Sequence, residues 1–384
     1  MTVFGTRPDT IKMAPVVHAL RSAQPAIIPV VCVSAQHRKM LDDLLALFRI
    51  RPDYDLNIMT PRQTLTQITT RVLEGMEPVL REVSPELVLV HGDTTTSTAA
   101  ALAAFYQQIP VGHIEAGLRT ATRWEPYPEE MNRRLTTAIT SWHFAPTARA
   151  RLHLERENVA PEDIFVTGNT VIDAFLATAQ DERVVDAPEL QPIDRRRPLI
   201  FVTAHRRENH TRMRSICEAL KQIVVLPERP QLLWPLHPSP EVAPVAHEIL
   251  DGMADVHLVS PMTYDATVRA ISQCSFVLTD SGGLQEEAPC LGKPVLVMRD
   301  QTERPEGIEA GTLQLVGADR ARIVAAAATL LSDGAAYARM ARAHNPYGDG
   351  QAAVRIVAWL LARLRGRPLP EEFRPEAAAA YPAA

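Results

Sequence analysis

Short apolar runs alternate with helix-forming segments along almost the whole chain, and this alternation restricts the possible folds most strongly. An example is the run ELVLV at 86–90, which is followed by a segment rich in helix formers at 97–108. Runs that are apolar on both faces and alternate with helices are typical of a parallel sheet with helical crossovers. The candidate strands are Val3-Phe4, 27–33, 86–90, 110–114, 142–146 and 164–168, then 199–204, 231–236, 256–260, 275–280 and 294–298. The pattern predicts an α/β fold.

The candidate strands fall into two series, which predicts two domains. A chain of 384 residues is longer than a single hydrophobic core usually supports. Residues 177–198 are charged and contain proline, so we interpret them as a linker. We place one doubly wound, Rossmann-like domain at 1–170 and a second at 171–350, facing each other across a cleft in which ligands would bind. We expect an amphipathic helix at about 351–366 and a flexible tail at 367–384.

The charge and the apolar runs of the chain provide arguments against two kinds of partner, nucleic acids and membranes. The net charge of −5 provides no electrostatic reason to bind nucleic acid. No apolar run approaches the ~20 residues that a membrane helix requires, and the N-terminus has no basic leader before an apolar segment. We therefore expect a cytoplasmic protein with neither a nucleic acid nor a membrane as partner.

Acidic residues follow two successive candidate strands. Asp93 comes directly after the run at 86–90, and Glu115 directly after the run at 110–114. One interpretation is ordinary loop chemistry, because Asp and Gly are common where strands turn into helices. The other is that both acids serve proton chemistry in one cleft. Glu129 and Glu130 begin a predicted helix, where acidic residues are expected in any case.

Two strand–loop–helix turns have the residues that an anionic ligand requires. In TDSGGLQEEAP (279–289), Ser281, Gly282 and Gly283 would present backbone N–H groups to a phosphate, although a tight turn with a serine N-cap explains them equally well. Glu286 or Glu287 could accept hydrogen bonds from a ribose. The turn after Val3-Phe4 carries the cations Arg7 and Lys12 but matches neither the Walker A spacing nor G-x-G-x-x-G, so no dinucleotide cofactor is indicated.

Further polar residues follow strands of the second series. VTAHRRENH (202–210) does not have the zincin spacing, so His205 is interpreted as a donor to a phosphate or sugar rather than as a metal ligand. Arg304 lies in a loop rich in Pro and Gly. Cations and Gly-Gly near strand ends in both halves, with acids in the first, are what a nucleotide-diphosphate ligand and acid/base chemistry would require.

Several of these motifs resemble those of the bacterial non-hydrolysing UDP-N-acetylglucosamine 2-epimerases. The motifs are FGTRPDTIKMAP, HGDTTT, HIEAGLRT, PEEMNR, GNTVIDA, HRREN, LTDSGGLQEEAP, GKPVLVMRDQTERPEGIEAGT and NPYGDG, in one order from about residue 2 to the 350s. The resemblance implies a glycosyltransferase B-type fold in which the second domain, 171–350, binds UDP and the final helix returns to the first domain. It also implies a homodimer that interconverts UDP-N-acetylglucosamine and UDP-N-acetylmannosamine without NAD or a metal.

The resemblance implies anti elimination of UDP to 2-acetamidoglucal, followed by re-addition of UDP and protonation of C2 on its other face. The implied acid/base residues are Asp93, Glu115 and Glu129, with His205 beside the diphosphate. The implied UDP ligands are Arg7, Lys12, Ser281, Gly282, Gly283, Glu287 and Arg304. An activating second UDP-N-acetylglucosamine would contact Gln36, His37, Arg71, Glu130 and Arg207. Which acid serves which face stays open, and a base near neutral pH would need a pKa raised by burial.

Other functions remain as alternatives at this point. The chain could epimerise a related UDP-sugar, such as a diacetamido uronic acid nucleotide, or release free N-acetylmannosamine by hydrolysis. A glycosyltransferase could use the same fold, but no acceptor-binding feature is present in the sequence. A non-catalytic UDP-sugar sensor would leave the acids at strand and helix ends without a role.

Overall fold

A computed structural model describes residues 1–183 and 187–375. In that part of the chain the strands are β1 (Thr2–Phe4), β2 (Val31–Val33), β3 (Tyr54–Asp55), β4 (Val88–His91), β5 (Val111–Ile114), β6 (Trp142–Ala145), β7 (Ile164–Val166), β8 (Leu199–Thr203), β9 (Gln231–Pro235), β10 (Val256–Val259), β11 (Phe276–Thr279), β12 (Val295–Val297) and β13 (Leu313–Leu315). The α-helices are α1 (Arg7–Ser22), α2 (Arg38–Leu47), α3 (Leu65–Val83), α4 (Thr95–Tyr106), α5 (Glu129–Ile139), α6 (Ala148–Arg156), α7 (Thr170–Gln180), α8 (Met213–Ile223), α9 (Ala243–Leu250), α10 (Tyr264–Gln273), α11 (Gly282–Glu287), α12 (Pro305–Ala310), α13 (Arg320–Ser332), α14 (Gly334–Ala341) and α15 (Ala352–Arg365).

The chain forms two compact units, each built on one parallel sheet. The first unit comprises Met1–Ala174 and Gly348–Arg374, and the second comprises Phe175–Tyr347. Within the described residues the first sheet has seven strands in the order β3-β2-β1-β4-β5-β6-β7, and the second has six in the order β10-β9-β8-β11-β12-β13. Both orders reverse direction once, as in a doubly wound Rossmann-like sheet. The prediction of two such domains is confirmed.

The structure differs from the predicted strands mainly at the sheet edges. The edge strands β3 and β13 were not predicted, because a strand of two or three residues is too short to show periodicity. The run predicted at 27–33 forms a strand only over Val31–Val33. Its first part contains Pro29, which has no N–H to donate to a sheet ladder.

Helix α15 packs on one face of the first sheet beside α1. Trp359 of α15 is 3% exposed, and its ring makes edge-to-face contacts with Trp142 and Phe144 at centroid distances of 5.1 and 5.3 Å. Such aromatic pairs stabilise a core beyond the area they bury. The opposite face of the sheet is covered by α3 and α4. Both faces are therefore apolar, which leaves the strand ends as the place for polar chemistry.

The chain after α15 continues to pack on the first unit, in contrast to the flexible tail predicted from residue 367. Phe373 is 4% exposed and donates its backbone N–H to Val166 at 2.9 Å. Glu372 accepts two hydrogen bonds from Arg151, one of 2.9 Å. The aromatic side chain and the ion pair order residues 372–373, which the Pro/Ala-rich composition did not indicate. Residues 376–384 lie outside the described part.

The second unit has its own continuous core, in which Trp234 of β9 is 1% exposed. The segment predicted as a linker, 177–198, begins within α7 and contains the buried residues Leu190 and Ile193. Residues 184–186 of that segment lie outside the described part. Across residues 1–183 and 187–375, no helix is both long enough and apolar enough to cross a membrane.

Candidate functional site

The predicted site residues of each unit lie at the carboxyl ends of strands next to the point where strand order reverses. In the first unit this point lies between β1, which precedes Arg7, and β4, which precedes Asp93. In the second it lies between β8, which precedes His205, and β11, which precedes Ser281. Ligands of doubly wound sheets bind at this position. Each unit therefore has a binding position of its own, and the two are described separately.

Glu115 is a buried carboxylate held in its ionised form. It is 7% exposed, and its Oε1 accepts hydrogen bonds from Lys12 Nζ and, at 2.9 Å, from Asn169 Nδ2. Burial alone would raise the pKa of Glu115, but the Lys12 ammonium, His91 and the hydrogen bonds lower that pKa well below its usual range. The raised pKa expected for a buried base is therefore not found at Glu115. A carboxylate that is ionised at neutral pH can accept a proton.

The backbone at Glu115 is strained. Its φ is +62°, in the left-handed region, although it is not glycine. Such a conformation costs about 1–2 kcal/mol and persists only where the surrounding structure imposes it, often at functional sites. Gly117 follows with φ +89°, and a Cβ there would lie 2.3 Å from the carbonyl oxygen of Ala150. The turn after β5 therefore depends on glycine at 117.

Asp93 lies at the same edge of the sheet as Glu115, because β4 and β5 pair in parallel. Its Oδ2 accepts a hydrogen bond of 2.6 Å from Arg133, and its carbonyl accepts one of 2.9 Å from Asn132. A Cβ at Gly92 would lie 3.2 Å from Glu115 Oε2, so the Glu115 carboxylate lies beside the residue that precedes Asp93. The structure thus places both predicted acids just after neighbouring strands, at one edge of the sheet.

The acids at the start of α5 have different environments. Glu129 is half-buried in the first turn. Glu130 is fully buried, and its carboxylate accepts hydrogen bonds of 3.1 Å from the Thr120 N–H, 3.1 Å from Arg133 and 2.9 Å from Arg134. This position differs from the ligand contact predicted for Glu130. In the structure it anchors Arg133, which in turn holds Asp93.

The remaining predicted residues of the first unit lie in or next to α1, α2 and α3. Arg7 is exposed at the first position of α1, and His37 immediately precedes α2. Gln36 accepts a hydrogen bond of 2.9 Å from the Thr96 hydroxyl, and Arg71 donates one of 3.1 Å to the carbonyl of Ile58. Gln36 and Arg71 are therefore fixed by contacts within the first unit.

In the second unit the loop after β8 is organised by Asp280. This carboxylate is 0% exposed and accepts hydrogen bonds of 2.9 Å from the N–H groups of His205 and Arg206 and of 3.0 Å from Asn209 Nδ2. The His205 ring stacks on His237 at a centroid distance of 5.8 Å. Burial lowers the pKa of His205, so its imidazole is neutral at physiological pH and able to donate one hydrogen bond.

The turn after β11 differs in one respect from the prediction. The backbone N–H of Ser281 donates to the Thr279 hydroxyl at 2.9 Å, so it does not point outward for a phosphate. Gly282 and Gly283 open α11, and Glu287 is half-buried at its last position. A Cβ at Gly282 would lie 3.2 Å from Glu303 Oε1, so the backbone is closely approached there.

Arg304 is held by an ion pair. Its guanidinium donates to the buried carboxylate of Glu286, and its carbonyl accepts a hydrogen bond of 3.0 Å from the Tyr347 hydroxyl. The Glu286 carbonyl accepts one of 2.9 Å from Asn345. Arg207 is exposed at the start of a 3₁₀ helix, Arg207–Arg212, in the same unit.

Comparisons with known proteins show which family the chain belongs to. A family model described as UDP-N-acetylglucosamine 2-epimerase matches residues 19–361. The UDP-N-acetylglucosamine 2-epimerase of Escherichia coli strain K12 is 53% identical over 366 residues, which cover 93% of this chain and 96% of that protein. The chain belongs to the UDP-N-acetylglucosamine 2-epimerase family. The predicted family and enzyme class, an isomerase, are thereby confirmed.

Solved structures of the epimerase family support the same conclusion. A crystal structure of a UDP-N-acetylglucosamine 2-epimerase has 48% identity and a TM-score of 0.91, covering 97% of this chain and 98% of its own. The enzyme of Neisseria meningitidis, solved bound to UDP-GlcNAc, has 46% identity and a TM-score of 0.84, covering 94% and 98%. The fold of this epimerase is therefore that of relatives with solved structures.

Several residues of the candidate site were missed from the sequence. Arg133, Asn169 and Asp280 each contact a predicted site residue through a side chain. Asp280 could have been found, because it follows an apolar strand as Asp93 does. Asn169 comes three residues after the end of β7, but no pattern showed that its amide would reach Glu115. The sequence did not distinguish Arg133 from the neighbouring Arg134, because only the folded helix shows which of the two arginines faces Asp93.

Buried neutral histidines at the ends of β4 and β5 predict a loss of stability in mild acid. Burial lowers the pKa of His113 to about 3 and that of His91 to about 4, whereas the pKa of an unfolded histidine is about 6.5. The unfolded chain therefore binds more protons between those values, and stability falls as pH decreases from about 6.5 towards 4.

We expect His113→Gln to weaken this pH dependence by up to about 1.4 kcal/mol per pH unit, because one titrating group is removed. Glutamine can still donate to the Gly92 carbonyl, which His113 Nε2 contacts at 2.7 Å. Urea unfolding at several pH values between 4.5 and 7.5 measures the effect. An unchanged slope in His113→Gln would show that His113 is not the neutral group invoked.

Proposed function

We propose that the chain catalyses the reversible epimerisation of UDP-N-acetylglucosamine at C2 to UDP-N-acetylmannosamine, without net hydrolysis. The observation that supports this most directly is the pair of carboxylates, Asp93 and Glu115, at adjacent strand ends of a family member. Inversion at C2 requires a proton to leave one face and another to arrive at the opposite face. Two neighbouring acids in one site provide the groups for this exchange.

The proposed route is elimination followed by re-addition. One carboxylate takes the C2 proton, the C1–C2 double bond of 2-acetamidoglucal forms, and the C1–O bond breaks with its electrons leaving on UDP. A UDP oxygen then attacks C1 again, while a second carboxylic acid protonates C2 from the other face. Each step balances without an oxidant, so the proposal includes no NAD.

The proposed roles follow the residues described. Asp93, Glu115 and Glu129 are the candidate proton carriers, with no assignment of faces. Departing UDP requires cations and N–H donors, which Arg7, Lys12, His205, Gly282, Gly283 and Arg304 would provide, with Ser281 and Glu287 near the nucleotide. Because Lys12 already neutralises Glu115, it would be shared between that carboxylate and the diphosphate.

Two further features belong to the proposal. A second UDP-N-acetylglucosamine would activate the enzyme through Gln36, His37, Arg71 and Arg207, with buried Glu130 acting through Arg133. The active form would be a homodimer. Phe105 and Tyr106, which are 53% and 70% exposed at the end of α4, are candidates for its interface.

Incubation with UDP-N-acetylglucosamine in deuterium oxide tests the function. We expect deuterium at C2 and a mixture of the two UDP-sugars by proton NMR, with no added acceptor or cofactor, because every C2 protonation draws on solvent-exchanged acids. Free N-acetylmannosamine would instead indicate the hydrolysing reaction. No exchange would contradict the proposal, and exchange only with a different UDP-sugar would change the substrate.

A further inference from the structure

His91 is a buried histidine next to the proposed acid/base pair for which the proposed mechanism has no role. It is the last residue of β4 and is 2% exposed. Its Nε2 is buried and has no hydrogen-bond partner among the described residues. Buried polar atoms are nearly always hydrogen-bonded, so an exception at a functional site calls for an explanation.

A hydrogen-bond acceptor, a carboxylate oxygen of Glu115, lies near that nitrogen. His91 Nε2 lies 4.0 Å from Glu115 Oε2, about 1 Å beyond hydrogen-bond length. The other carboxylate oxygen, Oε1, accepts from both Lys12 and Asn169. The two oxygens therefore have different partners, and His91 is the side chain that faces the second one.

The backbone holds His91 firmly in this position. Its carbonyl accepts a hydrogen bond of 2.6 Å from the Ser97 hydroxyl. The next residue, Gly92, donates its N–H to the carbonyl of Ile114 at 2.9 Å and accepts from His113 at 2.7 Å. Since Ile114 immediately precedes Glu115, the same contacts connect the histidine to the strained turn that carries the carboxylate. A small movement of the Glu115 side chain is enough to close the gap.

We propose that His91 is a positioning residue for Glu115, donating a hydrogen bond from Nε2 to Oε2 that keeps the carboxylate in place when Lys12 engages the substrate diphosphate. This inference rests on the proposed function, in which Lys12 binds both the Glu115 carboxylate and the substrate diphosphate. Without His91, a carboxylate released by Lys12 would keep, among the described residues, the Asn169 hydrogen bond at one oxygen. Rotation about its side chain would then move it away from the C2 hydrogen.

The charges around His91 are consistent with a neutral donor. The titratable groups that act on it are Glu115 and His113 from β5 and its end, and Lys12 from α1. Burial and the Lys12 ammonium keep its pKa low, while Glu115 raises it in part. A neutral imidazole donates from only one nitrogen, so the bond to Oε2 would also select the Nε2–H tautomer.

The first test does not depend on turnover. The ¹³C chemical shift of the Glu115 carboxyl is measured at neutral pH in enzyme with labelled glutamate carboxyls, with Glu115→Gln providing the assignment. We expect His91→Leu to shift this signal, because a hydrogen-bond donor to the ionised carboxylate is lost. His91→Gln places an amide N–H near the position of Nε2 and should restore the original signal, whereas His91→Asn, which is shorter, should not.

The second test measures turnover on UDP-N-acetylglucosamine. His91→Leu should lower kcat roughly 10- to 100-fold with little change in KM. His91→Gln should recover most of kcat. If His91→Leu does not fold, the comparison of His91→Gln with His91→Asn replaces it.

The outcomes separate the two proposals. If the unchanged enzyme shows no C2 exchange, the proposed function is wrong, and the NMR comparison still tests the hydrogen bond. If exchange occurs but the substitutions alter neither the Glu115 carboxyl signal nor kcat, the positioning role is refuted. Equal impairment of His91→Gln and His91→Leu would also refute it, because it would indicate packing rather than donation.

Discussion

Glu115→Gln and Asp93→Asn are each expected to lower the rate of C2 epimerisation by about 10³-fold. Each amide keeps the shape of the carboxylate but can no longer exchange a proton with C2, and a positioned acid or base contributes about 10²–10⁴-fold. UDP affinity should be retained in both variants. In Glu115→Gln it should be equal or higher, since Lys12 loses its carboxylate partner. C2 exchange by NMR and UDP binding by calorimetry measure the two effects.

The matched control for these variants is Glu74→Gln. Glu74 is exposed on α3 in the same unit and should tolerate the same chemical change with full activity. If both Glu115→Gln and Asp93→Asn retained more than about a tenth of the normal rate, the carboxylates would not be the proton carriers. If the variants lost UDP binding as well, the result would indicate a disturbed fold rather than lost acid/base chemistry.

Asp280→Ala is expected to destabilise the second unit by about 3 kcal/mol, because it leaves several buried donors without an acceptor. Those donors are the backbone N–H groups of His205 and Arg206 and the amide of Asn209. The loop after β8 would lose its conformation, and the proposed UDP contacts of His205 would be lost with it. Urea unfolding measures the stability, and hydrogen exchange of peptides from 199–210 locates the change.

Asp300→Ala is the control for Asp280→Ala. The Asp300 side chain is 60% exposed and forms an ion pair of 2.6 Å with Arg212 in the same unit. Exposed ion pairs contribute little, so we expect less than about 1 kcal/mol. If Asp280→Ala were as mild as Asp300→Ala, water would have to replace the buried carboxylate, and the account of the loop would be wrong.

The alternation of apolar runs and helices was sufficient to predict two Rossmann-like units, because a strand buried on both faces has a recognisable composition. It was not sufficient for β3 and β13. These short edge strands are stabilised by pairing with a neighbour rather than by their own residues. The ordering of residues 372–373 was also missed, since it depends on an apolar cluster and an ion pair that exist only in the folded first unit.

The candidate site, like the fold, could be predicted from the sequence only in part. Asp93 and Glu115 could be placed at one sheet edge from the sequence, because parallel strands end at the same side. Their hydrogen-bond partners could not be predicted, because Lys12, Asn169 and Arg133 come from other elements of the chain. Burial led to the expectation of a raised pKa, but the nearby ammonium determines the result at Glu115.

The sequence by itself determined the fold class, the two series of strands and the residue types available at their carboxyl ends. These are local properties, because runs of adjacent residues determine them. Only the tertiary structure decided which side chains meet there: that Asp280 holds the loop of His205, that Arg133 holds Asp93, and that His91 faces Glu115. Such contacts join residues far apart in the chain, and their energies depend on distance and burial, which only the folded protein defines.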